Sequence, residues 1–471
     1  MNDLEIELDE PMPKIGMQRA LLFAKRFSPS FLQPLVARVE ASSIMQRMAT
    51  GTFWSLAGYV LTRILGLLTT VLTIRILGKE LYGQIGMVQS TVDMFSIFAG
   101  LGLSFTTNKH VAEFRRNNPE RAGRVIAMAS ILSWISGIIV TIAVVFSAPF
   151  LAERTLHTPQ LSSLLQLGAL LLLFGTINAA QTGSLAGFEA FKNRAYVNTL
   201  AAVVSLPVVV GGAKYFGITG ALTGTVFGAG LLCLFNFIAL QKQMRLAGIR
   251  PQWHNWHHEV GVLLKFALPT MATSMMIPPV GWACNTMLAN TPKGFAELGI
   301  FNAASQWSNL IAFLPSLMGG VSMTIYAELA GAEEWQQLGK LMWGSVFFNC
   351  VLILPVFALS LASPWLMRVY GSDFAGTSLI LIIRLVTTFL TALYTPVWPM
   401  LLAVGKARAV FVINALWAGV LLVLTYWMVR WGVLGMALAN LIATFLYLCA
   451  LLVFARHVLA AGKHHRLTAK S

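Results

Sequence analysis

The sequence predicts an all-α polytopic membrane protein of about twelve transmembrane helices divided into two six-helix lobes. Three observations predict it. Of 471 residues, 57% are hydrophobic and only 11% charged, whereas a soluble domain carries roughly 25% charged residues. Apolar runs long enough to cross about 30 Å of hydrocarbon, at about 1.5 Å per residue, recur along the chain. The second half repeats the first at an offset of about 216 positions.

Residues 1–49 read as a cytoplasmic tail. Its acidic head, with Asp3, Glu5, Glu7, Asp9 and Glu10, has too little apolar surface to order. The following segment from Lys14 to Phe27 fits either an amphipathic helix on the cytoplasmic leaflet or a solvated basic linker. Spans follow at 50–77, 83–106, 123–147, 161–184, 195–214 and 217–240, forming the first lobe, 50–240. After a linker, 241–261, the second lobe, 262–457, holds spans at 262–289, 298–325, 338–362, 376–403, 407–429 and 432–456. A basic tail, 458–471, closes the chain. Most connectors are short, so sequential spans are expected to run antiparallel.

The net charge of +15 would suggest nucleic acid in a soluble protein, but these Lys and Arg lie between apolar spans, where they set orientation. The side holding both termini collects Arg115, Arg116, Arg121, Arg124, Lys192, Arg194, Lys242, Arg245 and more. The other side has only Lys79, Arg154, Lys214, Lys293, Arg368 and Arg430. Both termini are therefore expected to be cytoplasmic. The four cysteines fall inside apolar runs without ligand-like spacing and read as small core residues.

The repeat lays Gly83 over Gly299, Asn198 over Asn414 and, with one gap, Gly217 over Gly432. Two six-helix units in the same topology place a binding site between them. In this register Asp93 corresponds to Asn309, and Arg63 to Pro279.

Arg63 and Asp93 stand near the middle of the first two spans. A charge at a helix centre costs about 2.5–3.5 kcal/mol on an insertion scale. The two must face each other or a wet interior. Arg384, inside the tenth span, either faces a cavity or snorkels outward. Pro269, Pro278 and Pro279 in the seventh span each remove a backbone donor, so this helix is expected to bend, as a hinge or as a static break. Asn178, Gln181, Asn198, Gln306, Asn309 and Asn414 are polar groups inside spans, either interhelical bonds or the lining of a hydrophilic lumen. The run W-H-N-W-H-H at 253–258 lacks the carboxylate or thiolate spacing of a metal site. No D-x-D, phosphate-cradling Gly-rich loop or G-x-S-x-G elbow appears, so no catalytic residue, metal or cofactor is assigned. The sequence argues for movement rather than reaction.

Several short stretches carry a family resemblance. L-G-K-E-L-Y-G ends the first span, G-L-G-L-S-F-T-T-N-K-H-V-A-E-F the second, and L-A-G-F-E-A-F-K-N-R after the fourth has a partner in L-A-V-G-K-A-R. Over residues 45–457 the chain resembles the polysaccharide transporter family, flippases of lipid-linked oligosaccharides in the superfamily that also holds multidrug and toxin extruders. The resemblance implies a V-shaped pair of lobes in the bacterial inner membrane and a central cationic cavity. That cavity would move an undecaprenyl-pyrophosphate-linked glycan from the inner to the outer leaflet. It implies Arg63 and Arg384 as cationic contacts, Lys109 as a contact at the inner mouth, and Asn178, Gln181 and Asn309 as cavity residues. Asp93 would orient the cargo or couple H+ or Na+. Polymerase and chain-length regulator would be partners, with no nucleic acid. The first helix of lipid II flippases carries a second charged pair where Thr69 and Thr70 stand here, which favours another glycan. A cation-coupled drug exporter on the same fold, or a membrane-embedded enzyme, are the rival readings.

Overall fold

The computed structural model describes residues 43–254, 256–261, 275–354 and 356–468. The acidic head, the amphipathic segment of residues 14–27 and Pro269 lie outside the described residues. Helices dominate: α1 Ser43–Gly100, α2 Leu103–Asn117, α3 Pro119–Phe150, α4 Leu161–Gly187 and α5 Phe191–Leu246 in the first half. The second half holds α6 Ile277–Ala289, α7 Gly294–Gly331, α8 Trp335–Ile353, α9 Val356–Leu361, α10 Ser363–Arg368, α11 Ser378–Tyr394, α12 Val397–Ala403, α13 Ala407–Met428 and α14 Gly432–Thr468. Six helical stretches among the described residues are long and apolar enough to cross a membrane. The basic tail is not a separate segment at its start, since α14 continues to Thr468.

Three of those six stretches are too long for one crossing. At 56 residues, Phe191–Leu246 would extend about 84 Å as a straight helix. It turns back at Gly217, whose φ of 59° is a left-handed value that costs an L-residue about 1–2 kcal/mol. Beyond the turn, Gly212 packs on Gly220, Gly224 on Val209 and Gly228 on Ser205, the register of an antiparallel helical hairpin. In α1 the break is Gly78, with φ 77°, and Thr70 and Tyr82, which a straight helix would hold about 18 Å apart, line one chamber. Between α13 and α14 the break is Gly432, with φ 64°, and Tyr447 donates to the Asn414 carbonyl group at 2.7 Å. The repeat-related pair Gly217 and Gly432 thus serves the same turn in each half.

Among the described residues, the helix pairs in extensive contact lie within one half or the other, and α1 alone bridges, to α6, to α7 and to the turn Ser372–Phe374. At the crossing of α1 with α7, a Cβ on Gly83 would fall on the Phe295 carbonyl, and one on Gly299 on the Lys79 carbonyl. These are repeat-related glycines meeting face to face. The next turn follows the same symmetry, with Gly86 against the Asn302 amide.

The apolar core is shared at one end and divided at the other. A single cluster joins both halves near the turn end, with Ile74, Leu156 and Leu161 of the first half against Leu288, Tyr370 and Leu381 of the second. At the opposite end Val111, Ile126 and Leu240 form one core, while Tyr326, Met400 and Leu451 form another. The halves therefore meet where the chain turns at Gly78, Gly217 and Gly432 and part toward the end carrying Arg115 and Arg121. The linker stays with the first half. Glu259, nearly buried in the 3-10 turn Trp256–Glu259, accepts from Arg121 Nε at 3.1 Å and from Arg124 Nε at 3.4 Å.

If this crossing holds the halves together, Gly299→Ala should lower the thermal midpoint of the purified protein by several degrees, reflecting overpacking of about 1–3 kcal/mol. Gly344→Ala, with open space around its Cβ position, should leave the midpoint unchanged or slightly raised. Equal midpoints for Gly299→Ala and the wild type would show that the helices do not pack so closely.

Candidate functional site

Two connected chambers lie between the parting halves, and a third, joined to them, lies within the second half. The central one, of about 950 Å³, is lined by both arms of the α1 hairpin together with α5, α6 and α7. A first-half chamber of about 590 Å³ opens from it between α1, α5 and α7. The two share Thr62, Gly66, Thr70 and Gln306. A second-half chamber of about 480 Å³ lies among α7, α11, α13 and α14, joined to the central one at Ile277 and Asn309.

Arg63 lines the first-half chamber. Its Nε donates to the Tyr59 hydroxyl at 2.7 Å, and Tyr59 stacks on Phe313 of α7 with ring centroids 3.4 Å apart. The arginine is thereby tied, one helical turn away, to the ring that spans the gap between halves. Asp93 lines the central chamber and accepts from Gln89 Nε2 at 2.9 Å. Arg63 and Asp93 take partners on their own arm of the α1 hairpin rather than each other, and each lines a chamber. Four residues before Asn198 on the same face of α5, Arg194 also lines the first-half chamber, and its buried Nε has no hydrogen-bond partner. In the sequence Arg194 falls among the charges between spans. Its i,i+4 spacing to Asn198 was the available signal.

Arg384 lies in the second-half chamber rather than snorkelling outward. Its guanidinium sits 4.7 Å from the centroid of the Phe301 ring, and Nη1 donates to Asn440 Oδ1 at 3.4 Å. Asn309 faces both the central and second-half chambers, the position its repeat mate Asp93 occupies in the central one. Asn198 and Asn414, also repeat-related, line the first-half and second-half chambers respectively.

Two expectations are corrected. Asn178 and Gln181 face the seam between α4 and α5 and line none of these chambers: Asn178 donates to the Ala229 carbonyl at 3.2 Å and accepts from Asn236 at 3.1 Å, while Gln181 points to Cys233 Sγ. Their polarity closes a helix–helix interface. Pro278 and Pro279 occupy the first turn of α6, where a missing N–H leaves no bond unmade. They start a helix rather than bend one, and Pro278 also lines the central chamber. Lys109 is exposed on α2 at the end where the halves part, outside all three chambers.

The wall chemistry is consistent across the chambers. Thr62, Thr69, Thr387, Thr388 and Thr391 each donate to the carbonyl four residues back. Their protons are spent within the helix, and their oxygen lone pairs remain free to accept. Three arginines, Arg63, Arg194 and Arg384, share the chambers with one carboxylate, Asp93. Such a space suits a hydrated, hydroxyl-rich, negatively charged guest.

Comparison with solved structures places the fold. A multidrug resistance transporter of the MATE family of the MOP superfamily, in its inward-facing conformation, matches with a TM-score of 0.68 over 87% of this chain and 99% of that one, at 17% identity. The outward-facing conformation of a MATE transporter matches at 0.62 over 89% and 96%. At such identity the likeness shows the fold alone. Among sequence relatives, the EPS I polysaccharide export inner membrane protein EpsE of Ralstonia solanacearum is 26% identical over 223 residues, 46% of this chain and 49% of EpsE. The lipid III flippase of Escherichia coli K12 is 22% identical over 330 residues, 70% of this chain and 76% of the flippase. The chain thus spans about half the length of the EpsE protein it matches. A profile described as polysaccharide biosynthesis protein matches residues 48–323, more than half of the chain, and the chain belongs to that family.

Proposed function

We propose that this protein is a flippase that carries a lipid-linked oligosaccharide from the cytoplasmic to the outer leaflet of a bacterial inner membrane. The observation that carries this reading is the joined chamber system between the halves, with three arginines against a single carboxylate, inside a molecule whose outer helices are apolar. The names borne by its relatives support the same reading. In it, the hairpins and single helices make up twelve spans in two six-helix lobes, with the linker after the sixth and both termini in the cytoplasm.

The physical task is to move a polar head through hydrocarbon. Each sugar hydroxyl stripped of water without a partner costs on the order of 2 kcal/mol or more, and a pyrophosphate costs far more. A wet, cationic chamber between the lobes removes most of that barrier, while the polyprenyl chain stays in lipid. Arg63 and Arg194 flank the first-half chamber, and we assign them to the pyrophosphate, which bidentate guanidinium groups match in charge and geometry. Asp93 is the group available for coupling to H+ or Na+, whose gradient supplies about 2.3 kcal/mol per charge per 100 mV.

The divided core at the end bearing Arg115, Arg121 and Arg124 supports a cytoplasm-open state under the positive-inside rule. Rocking the lobes about the α1–α7 crossing would close that mouth and part the other end. A cation-coupled drug exporter on the same fold would need more than one chamber carboxylate for its cationic substrates, so the wall charge favours the anionic cargo over that alternative.

Arg63→Ala should abolish glycan export at matched expression, with lipid-linked repeat units accumulating on the inner leaflet, while Arg63→Lys should retain part of it. Wild-type export by Arg63→Ala would remove the arginine from the path. In a background with the native cysteines replaced, Asp93→Cys and Asn309→Cys should react with a membrane-impermeant maleimide from the cytoplasmic side, and Asn178→Cys should not. Labelling of Asn178→Cys at the rate of Asp93→Cys would contradict the chamber walls described here.

A further inference from the structure

The second-half chamber has the most aromatic wall of the three. It is walled by aromatic faces as well as by polar groups: Trp398 and Trp417 line it together with Tyr394 and Tyr447. Three of these rings brace one another, with Tyr394 edge-on to Tyr447 at 4.9 Å and Trp417 tilted against Tyr447 at 6.0 Å. The Tyr447 hydroxyl is fixed by Asn414. A braced aromatic wall beside amides and threonine oxygens suits a pyranose ring. One face of the ring is apolar C–H, which packs on an aromatic plane, and its edge carries hydroxyls that both donate and accept.

Arg384 gives this chamber its charge. Its guanidinium rests on the Phe301 ring and makes one long bond to Asn440, and its buried Nε has no hydrogen-bond partner. Neither partner is an anion, and no carboxylate lines the chamber. An arginine left this way selects a guest bearing a negative group that it can grip through two N–H donors. The pyrophosphate already has a place at Arg63 and Arg194, across the central chamber in the other half. The anion that reaches Arg384 therefore belongs to the glycan.

We propose that the second-half chamber is the sugar subsite and that Arg384 selects a glycan carrying a carboxylate, as in a uronic acid unit, with Trp398 and Trp417 packing on the ring. This rests on the flippase reading and narrows its cargo to acidic oligosaccharides. The test is calorimetric titration of the purified full-length protein with two soluble trisaccharides that differ in one group, one containing glucuronic acid and one in which that carboxyl is reduced to the alcohol. The wild type should bind the acid about tenfold or more tightly than its reduced form, in keeping with a charge-assisted bidentate contact. Arg384→Gln should bind both alike, and Arg384→Lys, which keeps the charge if the glutamine variant fails to fold, should retain part of the preference. Inorganic pyrophosphate should not displace the acidic trisaccharide. Equal binding of the two sugars by the wild type, binding of neither, a preference that survives in Arg384→Gln, or displacement by pyrophosphate would each overturn the assignment. Flipping of lipid-linked acidic and neutral glycans at equal rates in proteoliposomes would overturn this subsite and leave the flippase standing. Flipping of neither would remove the reading beneath it.

Discussion

The close crossing of α1 and α7 is the constraint on which the rest of the architecture depends. Gly83 and Gly299 have no side chain, so each lets the carbonyl of the opposite helix occupy the space a Cβ would fill. Two helices from different halves can then touch backbone to backbone at one end, where the packing is tight and dispersion contacts are dense. Around that point the apolar core is continuous across the halves. Away from it, larger residues and polar side chains take over, and the helices diverge. The chambers are the space left by that divergence, and their position follows from where the glycines sit along the helices.

A cavity of this kind inside a membrane protein has to hold polar groups without destabilising the helices that bear them. Threonine does so by donating to its own preceding turn, leaving only acceptor capacity exposed. Arginine does so by lying on an aromatic ring: Arg63 over Tyr59 and Arg384 over Phe301. Such cation–π contacts are worth about 0.5–2 kcal/mol, less than the attraction of a bound anion. The arginines are thus held in place but remain available to a stronger partner.

Much of this was legible in the sequence, and the exceptions have physical causes. The repeat offset aligned Gly83 with Gly299 and Gly217 with Gly432 because identical backbone demands, close approach and left-handed φ, admit few residues other than glycine. Charges at span centres pointed to a wet interior because lipid tolerates them poorly. Polarity alone does not say which way a side chain points. Asn178 and Gln181 are three residues apart on one face of α4, and that face meets α5 rather than the chamber. Asn309, equally polar, lies on the α7 face turned to the gap. Arg194 was hidden by its neighbours Lys192 and Asn193, which make the turn before α5 read as a charged loop, although α5 begins at Phe191 and carries Arg194 into its first turn. Tertiary packing, not local composition, decided each of these cases.

The same interactions show how the halves could move. Glu259, gripped by Arg121 and Arg124, fastens the 3-10 turn of the linker to the first half. The halves are also latched by a short set of polar bonds: Arg75 to the Val369 carbonyl, Trp282 to Thr91, Asn285 to Ser90 and Asn290 to the Thr155 carbonyl. At a net value of about 1 kcal/mol each, the set amounts to a few kcal/mol, comparable with the free-energy gap between conformers of proteins that interconvert on binding. The apolar contacts around Gly83 and Gly299 can persist while the helices pivot, because a backbone-to-backbone crossing has no interlocking side chains to disengage. Opening the turn end then requires breaking the polar latch and parting the adjoining apolar surfaces, while the wide mouth at the other end closes over surfaces that the two separate cores already present.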